Sequence, residues 1–258
     1  MKNVLLKIAY DGTDFHGWQR QPNCRTVQGE LEEVLSKVCC EPIALSGTSR
    51  TDAGVHAFGQ QATFSGNFGI PVDRIPLAVN NMLDRAGDVR IVEATEVPED
   101  FHARFNSRGK TYRYRIRYGA EPDIFARNHC WQIGRDLDVE AMKAGAKFFE
   151  GTHDFRSCMA AGGQEPETTV RTIHKLEIIE TFEGADKIPF VTLLVTGDGF
   201  LYNMVRIITG TLVEIGMGLR KPEDVAAILE SCSRSKAGRT APPGGLYLQK
   251  VYFEDIVI

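Results

Sequence analysis

The segment Lys110–Tyr118 constrains the fold most strongly, because two kinds of side chain alternate along it without interruption. Read as a β-strand, it places alternate residues on opposite faces. One face carries Lys110, Tyr112, Tyr114, Ile116 and Tyr118, and the other carries Thr111, Arg113, Arg115 and Arg117. A strand with three arginines on one face cannot have both faces in a dry core. The arginines must therefore meet water, an acidic side chain or phosphate.

The remaining periodic segments alternate strands with helices in each half of the chain. Strand patterns cover 4–10, 55–64, 89–97, 171–180, 188–196 and 246–253, and helical spacing follows residues 26, 75, 138, 199 and 222. Residues 152–170 have the composition of a loop, and we expect Phe58, Ala62 and Phe64 to share one strand face. This order predicts an α+β fold with mostly antiparallel sheets, in two halves that share a cleft where a substrate would sit. We place the halves at residues 1–104 and 105–258.

Composition places the chain among globular proteins. It has 258 residues, 43% of them hydrophobic and 25% charged, which suits one large domain or two ordinary ones. No apolar run reaches the length of a membrane span. The N-terminal residues 1–4 enter a strand pattern without the features of a signal peptide. We therefore expect a cytoplasmic protein with no membrane partner.

The cysteines and histidines show no metal-binding or disulfide pattern. There are six of each, without a C-x-x-C pair or an H-x-x-x-H spacing. Cys39 and Cys40 end an apolar helical stripe, and we expect both in or near the core. The sequence thus predicts no metal site.

Charge is distributed unevenly. The net charge of −4 argues against a protein that coats nucleic acid indiscriminately. Yet residues 104–117 hold six basic residues and no acid, and residues 231–253 hold four basic residues and no acid. These segments are either local surfaces for a polyanion or solvated strand faces. Phe15 and Trp18, in a loop with Arg20, likewise either stack on bases or cover the core.

The stretch Gly47–Phe64 carries the best candidate for chemistry. Arg50 and Asp52 stand on a turn-forming segment that Gly54 helps to close before a strand. The plain alternative is a turn aspartate with Arg50 as its surface partner. No P-loop, dinucleotide fingerprint or nucleophile elbow occurs elsewhere. A glycosidase pair of Asp52 and Asp198 is a further alternative, although Asp198 lies between two glycines where a structural role is common.

Five segments resemble those of the tRNA pseudouridine synthase A family, and they occur in the same order. The string 47–57, GTSRTDAGVHA, resembles that family's catalytic loop, and 9–19, AYDGTDFHGWQ, resembles its opening. Residues 100–105 followed by 110–114 resemble a second motif, 199–206, GFLYNMVR, a third, and 237–246 the C-terminal loop.

The resemblance implies a function and a set of site residues. It implies isomerisation of uridine to pseudouridine at positions 38, 39 and 40 of the tRNA anticodon stem-loop, by a homodimer without cofactor or metal. It implies two ferredoxin-like halves around a central RNA-binding cleft. It assigns the catalytic nucleophile or base to Asp52 and stacking on the target uracil to Tyr112. Arg50 would assist base flipping, and Arg206 would pair with Asp52.

Chemical reasoning about the residues agrees with this assignment. The isomerisation exchanges one bond of the uracil for another, so it requires no redox cofactor or energy donor. Asp52 must be ionised to attack C1′ or to remove a proton from C2′, and a cation nearby favours that form. Arg113, Arg115 and Arg117 would serve phosphates if their face meets RNA. A non-catalytic RNA-binding module using the same basic strand is the second hypothesis.

Overall fold

The computed structural model describes residues 1–83, 87–163, 166–254 and 256. Within these residues, five α-helices and ten β-strands form an α+β fold whose strand pairs are mostly antiparallel. The elements are β1 (Lys2–Tyr10), α1 (Val27–Cys39), β2 (Ser46–Gly47), β3 (His56–Gly66), α2 (Ile75–Leu83), β4 (Val89–Val97), β5 (Gly109–Tyr118), β6 (Trp131–Ile133), α3 (Val139–Ala146), β7 (Gly151–Asp154), β8 (Val170–Glu183), β9 (Ile188–Gly197), α4 (Met204–Gly216), α5 (Asp224–Glu230) and β10 (Leu246–Tyr252). The predicted α+β class with mostly antiparallel strands is confirmed.

Contacts divide the chain into two compact units, residues 1–108 with 247–255, and residues 109–246 with 256–258. The division at residue 104 inferred from the sequence stays a prediction. None of the helices in the described part of the chain is both long and apolar enough to cross a membrane.

In the first unit, the strands are ordered β4-β1-β3-β10. The central strand β1 is antiparallel to both β3 and β4, while β10 runs parallel to β3 with Tyr247 opposite His56. Alternate residues of β1 are buried, which is the pattern of a strand with one face on a core. Helix α1 begins at its cap Thr26, whose side chain accepts a hydrogen bond from the backbone N–H of Gly29.

Strand β3 departs from the predicted face assignment. Ala62 and Phe64 are buried as expected, but Phe58 is 46% exposed and stacks against Tyr247 instead. The register between β1 and β3 shifts by one residue between Ile8 and Tyr10. Such a bulge exchanges the two faces of a strand. The alternation counted along the sequence therefore assigns residues beyond the bulge to the wrong face.

In the second unit, β5, β9, β8 and β7 are consecutive neighbours, and each pair is antiparallel. The alternation predicted for residues 110–118 is confirmed on one face, where Tyr114, Ile116 and Tyr118 are buried. Helix α3 starts at the predicted cap Asp138, whose carboxylate accepts from the N–H of Ala141 at 2.9 Å. The prediction of loop from residue 152 to 170 is wrong at its start, because β7 pairs with β8 there.

The prediction that Cys39 and Cys40 both lie in or near the core is confirmed for Cys39 and wrong for Cys40. Cys39 is buried, but Cys40 is exposed and adopts a left-handed conformation with φ of 57° that ends α1. The helix therefore stops one residue earlier than the apolar stripe indicates, and the last thiol points away from the core. All six cysteines are free.

Candidate active site

The loop that carries Arg50 and Asp52 is held by buried polar side chains of the first unit. Gln60, which is fully buried in β3, donates to the backbone carbonyl of Ser49 at 2.7 Å, and its own carbonyl accepts from the Ser49 N–H at 3.3 Å. The Tyr10 hydroxyl and Thr51 Oγ1 lie 2.7 Å apart and share a hydrogen bond. Both residues are buried, so the backbone on the N-terminal side of Asp52 is fixed to β1 and β3.

The segment 9–19 forms a second support for this loop. The N–H of Trp18 donates to the carbonyl of Thr51 at 3.0 Å. The indole of Trp18 lies so close to Gly47 that an added Cβ would sit 2.4 Å from its Nε1. Gly47 is therefore required by close approach, and the loop and the indole interlock.

Phe15 and Trp18 are 2% and 1% exposed, respectively. Of the two interpretations left open for them, covering the core is correct and stacking on exposed bases is wrong. Burial of an aromatic ring cannot be inferred from a loop sequence, because it depends on which strands pack beneath the loop.

The two charged side chains of this loop differ in burial. Arg50 is exposed and Asp52 is half-buried, next to the buried Thr51. The chain then turns, with the Val55 N–H donating to the Asp52 carbonyl at 3.2 Å and Gly54 at φ of 75°. A carboxylate on a loop whose backbone is fixed has the restricted geometry that catalysis needs.

Tyr112 lies on β5 in the second unit, where it is half-buried opposite Val195 of β9. Its ring meets that of Phe200 edge to face, with centroids 5.2 Å apart. Edge-to-face packing fixes a ring while leaving part of its surface accessible.

Arg206 lies on α4 in the same unit, and its guanidinium is held at two points. Nε donates to the carbonyl of Ala241 at 2.7 Å, and Nη1 donates to Oδ1 of Asn203 at 2.6 Å. Asn203 precedes the helix in a left-handed conformation with φ of 59°, which asparagine tolerates better than most residues. The backbone N–H of Ala241 also donates to the carbonyl of Arg206 at 3.0 Å.

The C-terminal loop is a positioning element that the sequence did not identify as one. The Tyr114 hydroxyl donates to the carbonyl of Pro242 at 2.7 Å, next to the carbonyl that holds Arg206. Burial raises the pKa of Tyr114, although Arg206 and Arg239 oppose the rise. Tyr114 therefore stays protonated at neutral pH and keeps its donor role. The dense proline and glycine content of residues 242–245 was the available signal.

The arginine face of β5 has partners within the second unit. Arg115 Nη2 lies 2.6 Å from Glu183 Oε1, and its guanidinium stacks over the ring of Phe190 at 4.7 Å. Arg117 Nη1 donates to the carbonyl of Glu121. Among the alternatives for this face, Arg115 therefore meets an acidic side chain, while Arg117 meets a backbone carbonyl. A phosphate-binding role of this face stays a prediction.

Asp198 has a structural role in a strand connection. Its Oδ1 accepts from the N–H of Thr172 at 3.0 Å, and its own N–H donates to the Thr172 carbonyl at 3.1 Å. This pair joins the end of β9 to β8.

The four predicted site residues fall into two pairs. Arg50 and Asp52 lie together on one loop of the first unit, and Tyr112 and Arg206 lie on neighbouring elements of the second.

Comparison with known proteins identifies the family. A family model described as tRNA pseudouridine synthase matches residues 7–106 and 146–254. The chain is 47% identical to the tRNA pseudouridine synthase A of Acetivibrio thermocellus, over 98% of this chain and 100% of the relative. It is 49% identical to the tRNA pseudouridine synthase A of Halalkalibacterium halodurans, over 95% of this chain and 90% of the relative.

A third relative, the tRNA pseudouridine synthase A 2 of Clostridium perfringens, is 44% identical over 98% of this chain and its own full length. These matches cover almost the whole chain, so they extend to both units. The chain belongs to the tRNA pseudouridine synthase family, whose members are isomerases that convert uridine to pseudouridine. The resemblance stated from the motifs is thereby confirmed.

Proposed function

We propose that this protein isomerises uridine to pseudouridine in the anticodon stem-loop of tRNA, at positions 38, 39 and 40, with Asp52 as its catalytic residue. In the reaction the bond between ribose C1′ and uracil N1 breaks, the base turns, and a bond forms between C1′ and C5. N1 gains a proton and C5 loses one, so atoms and electrons balance without a co-reactant. The Asp52 carboxylate either attacks C1′ or removes a proton from C2′, and both steps need its ionised form.

One observation carries the assignment of Asp52. The half-buried carboxylate follows a backbone segment that buried side chains of Tyr10 and Gln60 hold in place. An ordinary turn aspartate needs no such support on its N-terminal side. Fixing the backbone that carries the carboxylate lowers the entropic cost of bringing it to the ribose.

Three further residues complete the proposal. Tyr112 offers an aromatic face for the flipped uracil, and its contact with Phe200 limits rotation of the ring. Arg206, held by Asn203 and Ala241, supplies a fixed positive charge that favours ionised Asp52. Arg50 is exposed beside Asp52 and assists extrusion of the base.

The proposal extends to architecture and assembly through family membership. We infer two ferredoxin-like halves, residues 1–104 and 105–258, around a central RNA-binding cleft. We further infer a cytoplasmic homodimer that works without cofactor or metal. Light scattering of the purified protein tests the dimer directly.

The test of Asp52 uses tRNA labelled with tritium at uracil C5 and incubated with protein in buffer. The wild type releases label to water while the base stays attached to the RNA. Asp52→Asn is expected to lose at least about 10²-fold in rate, because an amide neither attacks nor accepts the proton. Its affinity for tRNA stays close to that of the wild type.

Asp73→Asn is the matched control, since Asp73 is an exposed carboxylate whose ion-pair partner is its neighbour Arg74. It is expected to turn over normally. Normal turnover by Asp52→Asn would refute the role of Asp52. Tight tRNA binding by a wild-type protein that releases no label would support the RNA-binding module, and free uracil as product would support the glycosidase.

A further inference from the structure

The turn around Phe105 presents an exposed aromatic ring on a rigid support. Phe105 is 77% exposed, and it lies in the first unit between β4 and β5. Single exposed apolar side chains are common on protein surfaces and need no explanation by themselves. Phe105 differs because its neighbours hold its position and supply charge.

The turn is closed by hydrogen bonds centred on His102. The N–H groups of Phe105 and Asn106 donate to the carbonyl of His102 at 3.1 and 2.9 Å, and Asn106 Oδ1 accepts from the His102 N–H at 2.8 Å. The Nδ1 atom of His102 accepts from the N–H of Arg104 at 3.2 Å. In the neutral imidazole Nε2 then carries the proton, and it donates to Ser46 Oγ at 3.0 Å.

One aromatic ring and one guanidinium group flank the Phe105 ring. The imidazole of His102 lies 4.4 Å from it, centroid to centroid, at an interplanar angle of 33°. The guanidinium carbon of Arg104 lies 5.8 Å from the ring centroid. The exposed surface therefore combines an aromatic face with a positive charge, and the segment 101–117 contains no acidic residue.

The same turn is bonded to the segment that leads to Asp52. Thr48 Oγ1 donates to the carbonyl of Ala103 at 3.2 Å, and Ala103 is fully buried. Ser46, which contacts His102, and Thr48 both belong to this segment. Phe105 is thus fixed to the scaffold of the catalytic loop.

We propose that Phe105, supported by His102 and flanked by Arg104, is a stacking platform for an unpaired nucleobase of the bound tRNA, outside the uridine that reacts. The inference rests on the proposed function, which makes tRNA the ligand. A nucleotide matches the surface because its base has a π-face and its phosphate is an anion. Arg104 contacts the phosphate next to the stacked base.

The first experiment measures the affinity of full-length variants for unmodified tRNA by filter binding. Phe105→Ala and Phe105→Leu are expected to weaken binding about tenfold, because both lose the aromatic face. Phe105→Tyr and Phe105→Trp keep that face and bind within a few-fold of the wild type. The leucine variant separates stacking from simple apolar contact.

Phe182→Ala is the matched control. Phe182 is 62% exposed on β8, but Glu180 and Glu183 lie close to it in the sequence, and acids disfavour RNA. Its removal leaves tRNA affinity unchanged. Equal binding by Phe105→Leu and the wild type would overturn the proposal, as would a change in oligomeric state of Phe105→Ala, which would indicate a protein contact.

The second measurement is the salt dependence of binding. Arg104→Gln is expected to reduce the magnitude of the slope of log affinity against log salt concentration by about 1, the change that corresponds to one lost phosphate contact. An unchanged slope would contradict the role of Arg104. Phe105→Ala is expected to release tritium at saturating tRNA, with a raised KM. Failure of the wild type to release label would count against the proposed function and would leave the binding result for Phe105 intact.

Discussion

At the scale of single residues, the loop that carries Asp52 contains two buried hydroxyl groups with different surroundings. Thr51 Oγ1 shares a hydrogen bond with Tyr10, whereas Ser49 Oγ is buried and has no hydrogen-bond partner among the residues that the structure describes. A buried hydroxyl without a partner lowers stability, and a paired one raises it. The two positions therefore respond in opposite directions to loss of the hydroxyl.

We predict that Thr51→Val lowers the free energy of unfolding by about 1 kcal/mol, and that Ser49→Ala leaves it unchanged or raises it by a similar amount. Urea unfolding followed by circular dichroism measures both. A loss of stability in Ser49→Ala as large as that in Thr51→Val would show that the Ser49 hydroxyl has a partner in solution.

At the scale of elements, α4 and the C-terminal loop approach each other without space for a side chain. A Cβ on Gly210 would lie 1.7 Å from the carbonyl oxygen of Arg239. Two residues further on, Ala241 holds the guanidinium of Arg206. The closeness of the helix and the loop is therefore tied to the position of that cation.

We predict that Gly210→Ala destabilises the protein and slows tritium release, although alanine favours a helix over glycine by about 1 kcal/mol. Gly29→Ala in α1 is the control, because its Cβ would meet the side chains of Thr26 and Arg20, at 3.0 and 3.8 Å, rather than backbone. Thermal unfolding and the tritium assay report both effects. Wild-type activity in Gly210→Ala would show that the loop does not position Arg206.

At the scale of the whole molecule, the six free cysteines report on burial throughout the chain. Burial raises the pKa of Cys158 to about 12 and that of Cys39 to about 11, with Glu41 adding to the rise at Cys39. The thiolate is the reactive form, so these two side chains combine poor access with a small ionised fraction at pH 8. Cys40 is exposed.

We predict that iodoacetamide at pH 8 alkylates Cys40 first and leaves Cys39 and Cys158 unmodified in the folded protein. Mass spectrometry of peptides assigns the sites, and addition of urea serves as the control that makes all six react. Equal rates at Cys158 and Cys40 in native buffer would contradict the burial described for Cys158.

The sequence by itself determined the class of fold, most of the longer elements and the family. Periodicity is a local property, so the alternation in β5 and the helical stripe in α4 are readable without a structure. Strands of two to four residues, β2, β6 and β7, were not predicted, because so few residues carry no periodic signal. The roles of Arg50, Asp52, Tyr112 and Arg206 follow from family motifs and stay predictions.

Only the tertiary structure decided what each face meets. Phe15 is buried while Phe105 is exposed, although both occur in polar loops with neighbouring arginines. A bulge turns Phe58 away from Ala62, and Glu183 neutralises Arg115 from a distant strand. Burial, register and ion pairing all depend on residues far apart in the chain, and no local pattern contains that information.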